Sequence, residues 1–464
     1  MSKTAALSIF AILSAFLIAA IVTASPWPED QDSVNFILGV DLYDPLFHQP
    51  HFPGYPVYIV AGKIASAFLG TPAHALIFVS ALSGAFTILL FAVFTRRLYG
   101  ESAAITCAAL MAANPVFFEF SHKIQTEAFG TLLLISAVVA LGRLDRASGV
   151  RWFISGLIFG LLLGVRLSWW PYAFVYAMVS IRFGRVGGVF SGIIAGALLW
   201  LIPQIIVIGP YELYEHSLFF INGHFTQWGG ALGSVNGTES RAMAIALRVA
   251  EAVGWIGSGV NTTRIPWIGV SAFAIFLAIK NRKTFSGETA LFIIATAAYL
   301  IWVALGQNVS KIRHFVPLIP AIIFLVAPVA KKKPLLTITA AVFLAATIFI
   351  DYTNRPSFAP PTKRLYTWLN EIPDGDAVLY CGEAERFFDL YPAKVTVKSV
   401  TLKHNLQSSV DATWPSPRKA FVCDDIPQLD VSEAPLAIFR ARAGDPIDRT
   451  IKVYTLNSVK KQGM

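Results

Sequence analysis

Three acids, Glu29, Asp30 and Asp32, stand directly after the first apolar run of the chain. A stretch of imidazoles, prolines and aromatics follows: His48-Gln49-Pro50-His51-Phe52-Pro53-Gly54-Tyr55-Pro56. Further polar groups fall between later apolar runs. Glu119, His122, Lys123, Gln125 and Glu127 form one set. Glu212, Glu215, His216, Asn222, His224, Gln227, Trp228 and Arg241 form another, and Gln307, Asn308, Lys311, Arg313 and His314 a last one. These residue types support three kinds of chemistry. A carboxylate can take a proton from a hydroxyl as general base. Carboxylate with histidine can hold a divalent metal. Lysine and arginine beside a bilayer can bind a lipid phosphate.

Each of these residues also has a plainer structural reading. Glu29 and Asp30 read most simply as solvated loop acids. For Asp32 the two readings balance. Its sequel, Ser33-Val34-Asn35-Phe36-Ile37-Leu38-Gly39, reads as the start of an amphipathic interfacial helix that keeps the carboxylate near the membrane. His48 reads as a helix-end or hydrogen-bonding histidine. Lys311 and Arg313 either anchor a loop at the headgroups or bind phosphate. Arg166 stands near the outer end of an apolar run, where a lone base is costly unless paired. It either snorkels to the surface or binds an anion.

The elements that must position these groups are membrane-spanning. Of 464 residues, 55% are hydrophobic and only 14% charged, with a mean hydropathy of +0.60, whereas soluble domains carry roughly 25% charged residues. Apolar runs start near residues 4, 74, 101, 125, 151, 168, 187, 265, 288, 314 and 335, each close to the roughly 20 residues a spanning helix needs. About eleven spans follow. The basic clusters lie at Arg96-Arg97; Arg143, Arg146 and Arg151; Arg182 and Arg185; Lys280, Arg282 and Lys283; and Lys331-Lys332-Lys333. They occupy alternate gaps, which puts the N-terminus and the basic gaps in the cytoplasm. Residues 25–73, 119–125, 209–264, 307–313 and everything after 351 then face outward. Residues 54–70 read as a helix lying in the outer interface, because a full span there would reverse Arg96-Arg97. The first run also resembles a signal peptide, with Val22-Thr23-Ala24 as a cleavage site, but it is longer than a usual signal core and reads as an uncleaved anchor. The net charge of +9 is spread between apolar runs, as positive-inside topology explains, and nucleic acid is not an expected partner.

The chain therefore divides into a transmembrane domain, 1–351, and an outer domain, 352–464. In the second, Thr362–Asn370 reads as a helix. Ala377–Tyr380, Lys394–Val400, Ala420–Cys423, Pro435–Arg440 and Ile451–Tyr454 read as strands of a small α/β or α+β fold. Cys107, in an apolar run, reads as packing. Cys381 and Cys423 either pair, if their segment is outside the cytoplasm, or are two buried strand thiols. No internal repeat of the kind found in secondary transporters is visible.

Four short motifs, in order, resemble the GT-C-type, polyprenyl-phosphate-sugar-dependent glycosyltransferases. These include the protein O-mannosyltransferases and the lipid A aminoarabinose transferase. The motifs are Asp32-Ser33-Val34-Asn35-Phe36; His51-Phe52-Pro53-Gly54-Tyr55; the acid of Thr126-Glu127-Ala128; and the Arg-His-Phe-x-Pro-x-x-Pro run from Arg313 to Pro320. The resemblance covers roughly residues 1–350. It implies Asp32 as the catalytic carboxylate with Glu127 its partner. It implies Lys311, Arg313 and Arg241 as contacts for the donor's phosphate, and His51, Tyr55, His224 and Asp30 in the substrate or metal neighbourhood. A divalent metal, if used, would draw on His51 and His224. The implied activity is inverting transfer of a sugar from a polyprenyl-phosphate donor to an acceptor hydroxyl of a glycolipid, polysaccharide or protein. The implied place is the outer face of a bacterial inner membrane, with membrane lipid as surroundings. Two other classes stay open at this level: a multi-spanning transporter or lipid flippase, and a non-catalytic component of envelope polysaccharide assembly.

Overall fold

An apolar backbone in lipid has no water to bond, so it closes its hydrogen bonds on itself as helix. The computed structural model describes residues 1–234, 241–253, 285–335, 337–339, 359–372, 377–400, 419–424, 433–441 and 450–456, with single positions 276, 280, 342, 426 and 431. Its helices begin with α1 (Lys3–Thr23), α2 (Gln31–Asp41), α3 (Pro56–Leu69), α4 (Pro72–Tyr99), α5 (Glu101–Ala112) and α6 (Pro115–Phe120). They continue with α7 (Glu127–Leu141), α8 (Gly149–Leu163), α9 (Trp170–Arg182), α10 (Val186–Ile208), α11 (Pro210–Thr226) and α12 (Arg241–Ala252). Then come α13 (Gly287–Gly306), α14 (Leu318–Phe324), α15 (Ala327–Lys332), α16 (Pro361–Glu371) and α17 (Phe387–Leu390). Among the described residues α1, α4, α10 and α13, of 21, 28, 23 and 20 residues, are long and apolar enough to cross a membrane. The protein is a multi-pass membrane protein.

The chain forms two compact units, Met1–Ala24 with Gly39–Asn354, and Ser25–Leu38 with Arg355–Met464. In the first, several expected spans are shorter than the apolar runs that announced them. The run from 101 stops after twelve residues because Asn114 caps a new helix, its side chain accepting from the Phe117 amide at 2.9 Å with Pro115 at the first helical position. The run from 314 becomes a 3-10 turn (Ile312–Phe315) followed by α14 and α15. The run near 265 and most of that near 335 lie outside the described residues. The 54–70 segment is helix α3, 14 residues long, or about 21 Å at 1.5 Å per residue, short of the roughly 30 Å hydrocarbon core.

Helices α8 and α10 pack with their backbones in close approach. A Cβ built on Gly156 or Gly160 would come within 2.3 Å of the carbonyl oxygens of Val189 and Ile193. One on Gly192 or Gly196 would reach Phe153 O or Leu157 O at 2.2 and 2.1 Å. Small residues four apart on both helices let the backbones touch, which is how helices associate where lipid offers no hydrophobic drive.

The second unit holds a five-stranded sheet in the order β2-β1-β3-β5-β4, with β1 Ala377–Cys381, β2 Thr396–Ser399, β3 Lys419–Cys423, β4 Ala437–Phe439 and β5 Ile451–Thr455. β1 runs parallel to β2 and β3, and β5 antiparallel to β3 and β4. Each expected strand is present. β1 is buried along its whole length, as a central strand with both faces covered must be. Leu365 and Leu369 of α16 pack with Leu379, Phe387, Phe421 and Val453. Cys381 and Cys423 lie buried on neighbouring strands, and Cys107 is buried in the helical unit.

Candidate functional site

The His-Pro-aromatic stretch folds as a braced turn. Asp44 and Gln49 exchange two main-chain hydrogen bonds, 2.8 and 2.9 Å, and the Asp44 side chain accepts from the Leu46 amide at 3.1 Å. His48 closes the short 3-10 helix between them, so its helix-end reading holds. Gly54 donates to His51 O at 2.9 Å, and Gln204 of α10 donates to Pro53 O at 2.8 Å. Gly54 sits at φ +87°, where a Cβ would meet the Tyr43 hydroxyl at 2.3 Å, so glycine is required. Tyr55 is left-handed at φ +46°, a conformation costly for a bulky residue. Its hydroxyl lies 2.8 Å from His51 Nε2, and the His51 ring stacks on Phe220 of α11 with centroids 5.9 Å apart.

The second outer set is not a solvated loop. Glu119, His122, Lys123, Gln125, Thr126 and Glu127 are all buried. Glu119 pairs with His122 and Lys123, each at 3.5 Å. Glu127 opens α7 and is completely buried, ion-paired with the Arg166 guanidinium. Arg166 Nε also donates to Thr126 Oγ1 at 2.9 Å. Arg166 thus has the partner its depth demands, and Glu127, expected as a second catalytic carboxylate, holds Arg166.

The C-terminal end of α13 explains two other residues. Helix ends leave their last carbonyls without intrahelical partners. Arg241 donates to Ala304 O at 3.1 and 2.9 Å, to Gln307 O at 2.8 Å and to Gly230 O at 2.8 Å. The Leu232 amide donates to Leu305 O at 3.0 Å, and His224 Nε2 donates to Gly306 O at 2.7 Å. A cation there also complements the helix dipole. Arg241, expected as a phosphate contact, is a helix cap, and His224, expected as a metal ligand, has its outward nitrogen committed to a carbonyl.

Within this first unit the parts enclose a cavity of about 480 Å³, in the range of small-molecule sites. Arg166, Lys311 and Arg313 line it, and no acid is among its described lining residues. Trp170, Phe220, Phe225, Trp228 and Trp302 supply its apolar wall, with His51, Tyr55, His224 and His314 between them. His314 Nδ1 and Trp302 Nε1 are buried without a hydrogen-bond partner among the described residues, a state that points to a ligand. Burial, reinforced by the Arg313 and Arg166 cations, holds the His314 imidazole well below its ordinary range, so it is neutral. The site is thus a cationic pocket with aromatic walls, suited to an anion carrying an apolar tail. The sequence singled out His51, Tyr55, His224, Lys311, Arg313 and Arg166, which the fold brings together here. It passed over Trp170, Phe220 and Trp302, for which aromatics at helix ends were the available signal.

The two histidines expected as metal ligands make other contacts through Nε2. His51 Nε2 is bonded to Tyr55 and His224 Nε2 to Gly306 O. Among the described residues no three His, Cys, Asp or Glu side chains gather as a metal site. The other acids singled out for the site, Asp30 and Asp32, belong to the other unit. Asp30 is the N-cap of α2, its Oδ1 accepting from the Ser33 amide at 2.8 Å and the Ser33 hydroxyl at 2.6 Å. Asp32 is in the first turn of the same helix.

Residues 53–168 match the family model described as dolichyl-phosphate-mannose-protein mannosyltransferase. That stretch begins at the braced turn and ends just past Arg166. No curated protein matches the chain. The structure of ArnT from Cupriavidus metallidurans in the apo state is similar at TM-score 0.60 and 12% identity, over 99% of this chain and 100% of that one. The chain shares the fold of that protein. The same relative bound to undecaprenyl phosphate is similar at TM-score 0.59 and 12% identity, with both chains fully covered. The resemblance to the GT-C-type transferases holds at the level of the fold, and the shared fold includes helical membrane segments and a small sheet.

Proposed function

We propose that the protein is an inverting glycosyltransferase that moves a sugar from a polyprenyl-phosphate donor to an acceptor hydroxyl at the outer face of the membrane. The observation that carries this reading is the acid-free cavity lined by Arg166, Lys311 and Arg313 among aromatics. The undecaprenyl phosphate bound by the similar ArnT supports the donor class.

In the reaction the acceptor oxygen attacks the anomeric carbon. The bond from that carbon to the phosphate oxygen breaks, and the phosphate leaves with the electron pair. The leaving group needs positive charge more than a proton, and fixed guanidinium and ammonium groups stabilise the developing anion without reorganising. Lys311 and Arg313 serve that role, with Arg166 held in place by Glu127. The neutral His314 and the indole of Trp302 have polar atoms to offer the donor. Asp32 takes the acceptor's proton as general base. One displacement inverts the sugar carbon.

The test is transfer by Asp32→Asn protein from a polyprenyl-phosphate sugar donor, with membrane insertion and expression checked in parallel. Loss of transfer with normal insertion is expected. Near-normal transfer would remove Asp32 from the mechanism.

A further inference from the structure

The segment carrying Asp32 folds as part of the C-terminal unit, although more than 300 residues separate them in sequence. Val34, 2% exposed, belongs to the same core as Leu365, Leu379, Phe387, Phe421 and Val453, and Trp27 and Leu38 pack against it. The Trp27 ring lies 4.5 Å from Tyr391, 6.2 Å from Tyr366 and 6.3 Å from Phe387, centroid to centroid. The Lys363 ammonium sits 3.5 Å over its face, a geometry that favours a cation on an indole. The Thr362 hydroxyl donates to Pro28 O at 2.9 Å. Most pointed is Asn35, 1% exposed, whose Oδ1 accepts from Arg386 Nε at 3.0 Å. Arg386 is in turn ion-paired with Asp389 on α17. Asn35 lies three residues after Asp32, so both share one side of α2.

We propose that Arg386 is a positioning residue for Asp32: through Asn35 it fixes the rotation and height of the first turns of α2. The sheet domain on this view is a working part of the transferase, not an appended docking module. The inference rests on Asp32 being the base. A buried amide that loses its charged donor is left unsatisfied, and a base displaced by about 1 Å can cost roughly a hundredfold in rate.

The experiment uses the full chain in lipid nanodiscs, with Arg386→Ala, Asn35→Leu, their double variant, Asn35→Asp and Asp32→Asn. Transfer kinetics with a polyprenyl-phosphate sugar donor are read alongside amide hydrogen exchange. Arg386→Ala and Asn35→Leu are expected to lower kcat by about tenfold or more with donor KM within about twofold. Exchange should quicken across residues 25–38 while the sheet strands stay protected. The double variant should be no worse than either single, because one interaction is lost in each. Asn35→Asp, which still accepts from Nε, should keep kcat within about threefold. Three outcomes would overturn the positioning role: unchanged kcat in both single variants, unchanged exchange at 25–38, or a kcat loss accompanied by loss of protection throughout the sheet. Retained transfer by Asp32→Asn would overturn it through its premise, and is told apart because it strikes the base assignment whatever the exchange data show.

Discussion

Arg313 and Arg241 carry the same charge, and the sequence offers no way to tell them apart. The fold gives them different tasks. Arg313 lines the cavity, whereas Arg241 places four hydrogen bonds on main-chain carbonyls, three of them at the end of α13. A hydrogen bond to a charged group is worth about 1.5–3 kcal/mol. Arg313→Ala should therefore raise donor KM by roughly ten- to a hundredfold with little change in thermal stability. Arg241→Ala should do the reverse, lowering the melting temperature in detergent while donor KM stays within about twofold. A large KM effect at Arg241 would return it to the phosphate-binding set. Glu127→Gln should destabilise by about 3–5 kcal/mol, since it strands a buried guanidinium; calorimetry or a thermal melt checks this. Lys311, Arg313 and His51 were legible because polar residues at the ends of apolar runs have few other uses. The helix-capping roles of Arg241 and His224 were not, because they depend on which carbonyls end up beside them.

At the level of elements, the strands were read within a few residues because each is a short β-branched or aromatic run bounded by polar or turn residues. The helices were read less well. Run length alone passed over Asn114-Pro115, a readable break signal, and so made one span of what are α5 and α6. It also said nothing of which helices touch. The glycine seam of α8 and α10 does that work, and it positions the site from both sides: α8 ends in the turn where Arg166 N bonds Leu162 O at 2.8 Å, and α10 supplies Gln204 to the His51–Tyr55 turn. Gly192→Leu should separate the two helices, lowering the melting temperature and transfer together. Gly187→Leu, on the same helix with nothing within 4 Å of its Cβ position, should leave both unchanged. Equal effects from the two variants would mean that the seam does not hold the site.

For the whole molecule, two histidines tie stability to acidity. Burial lowers the His216 pKa from its ordinary 6.5, partly offset by a hydrogen bond from its ring to the Pro45 carbonyl, and lowers that of His314 further. Below about pH 6.5 the unfolded chain takes up protons that the native one refuses, so stability falls with acidification. The melting temperature should drop between about pH 7.5 and pH 5.5, and His314→Gln should make that drop shallower; an unchanged slope would mean that His314 titrates normally. The division into a helical body and a small sheet was visible in composition. That residues 25–38 fold with the sheet was not, because it needs contacts such as Trp27 with Tyr391 across more than 300 residues. The acid-free lining of the cavity has a final consequence. On the proposed reaction, losing the sugar turns a phosphodiester of about one negative charge into a monoester of about 1.5 to 2. On that reaction the spent carrier is held more tightly than the loaded one, and its release into the bilayer is expected to be slower than that of unreacted donor.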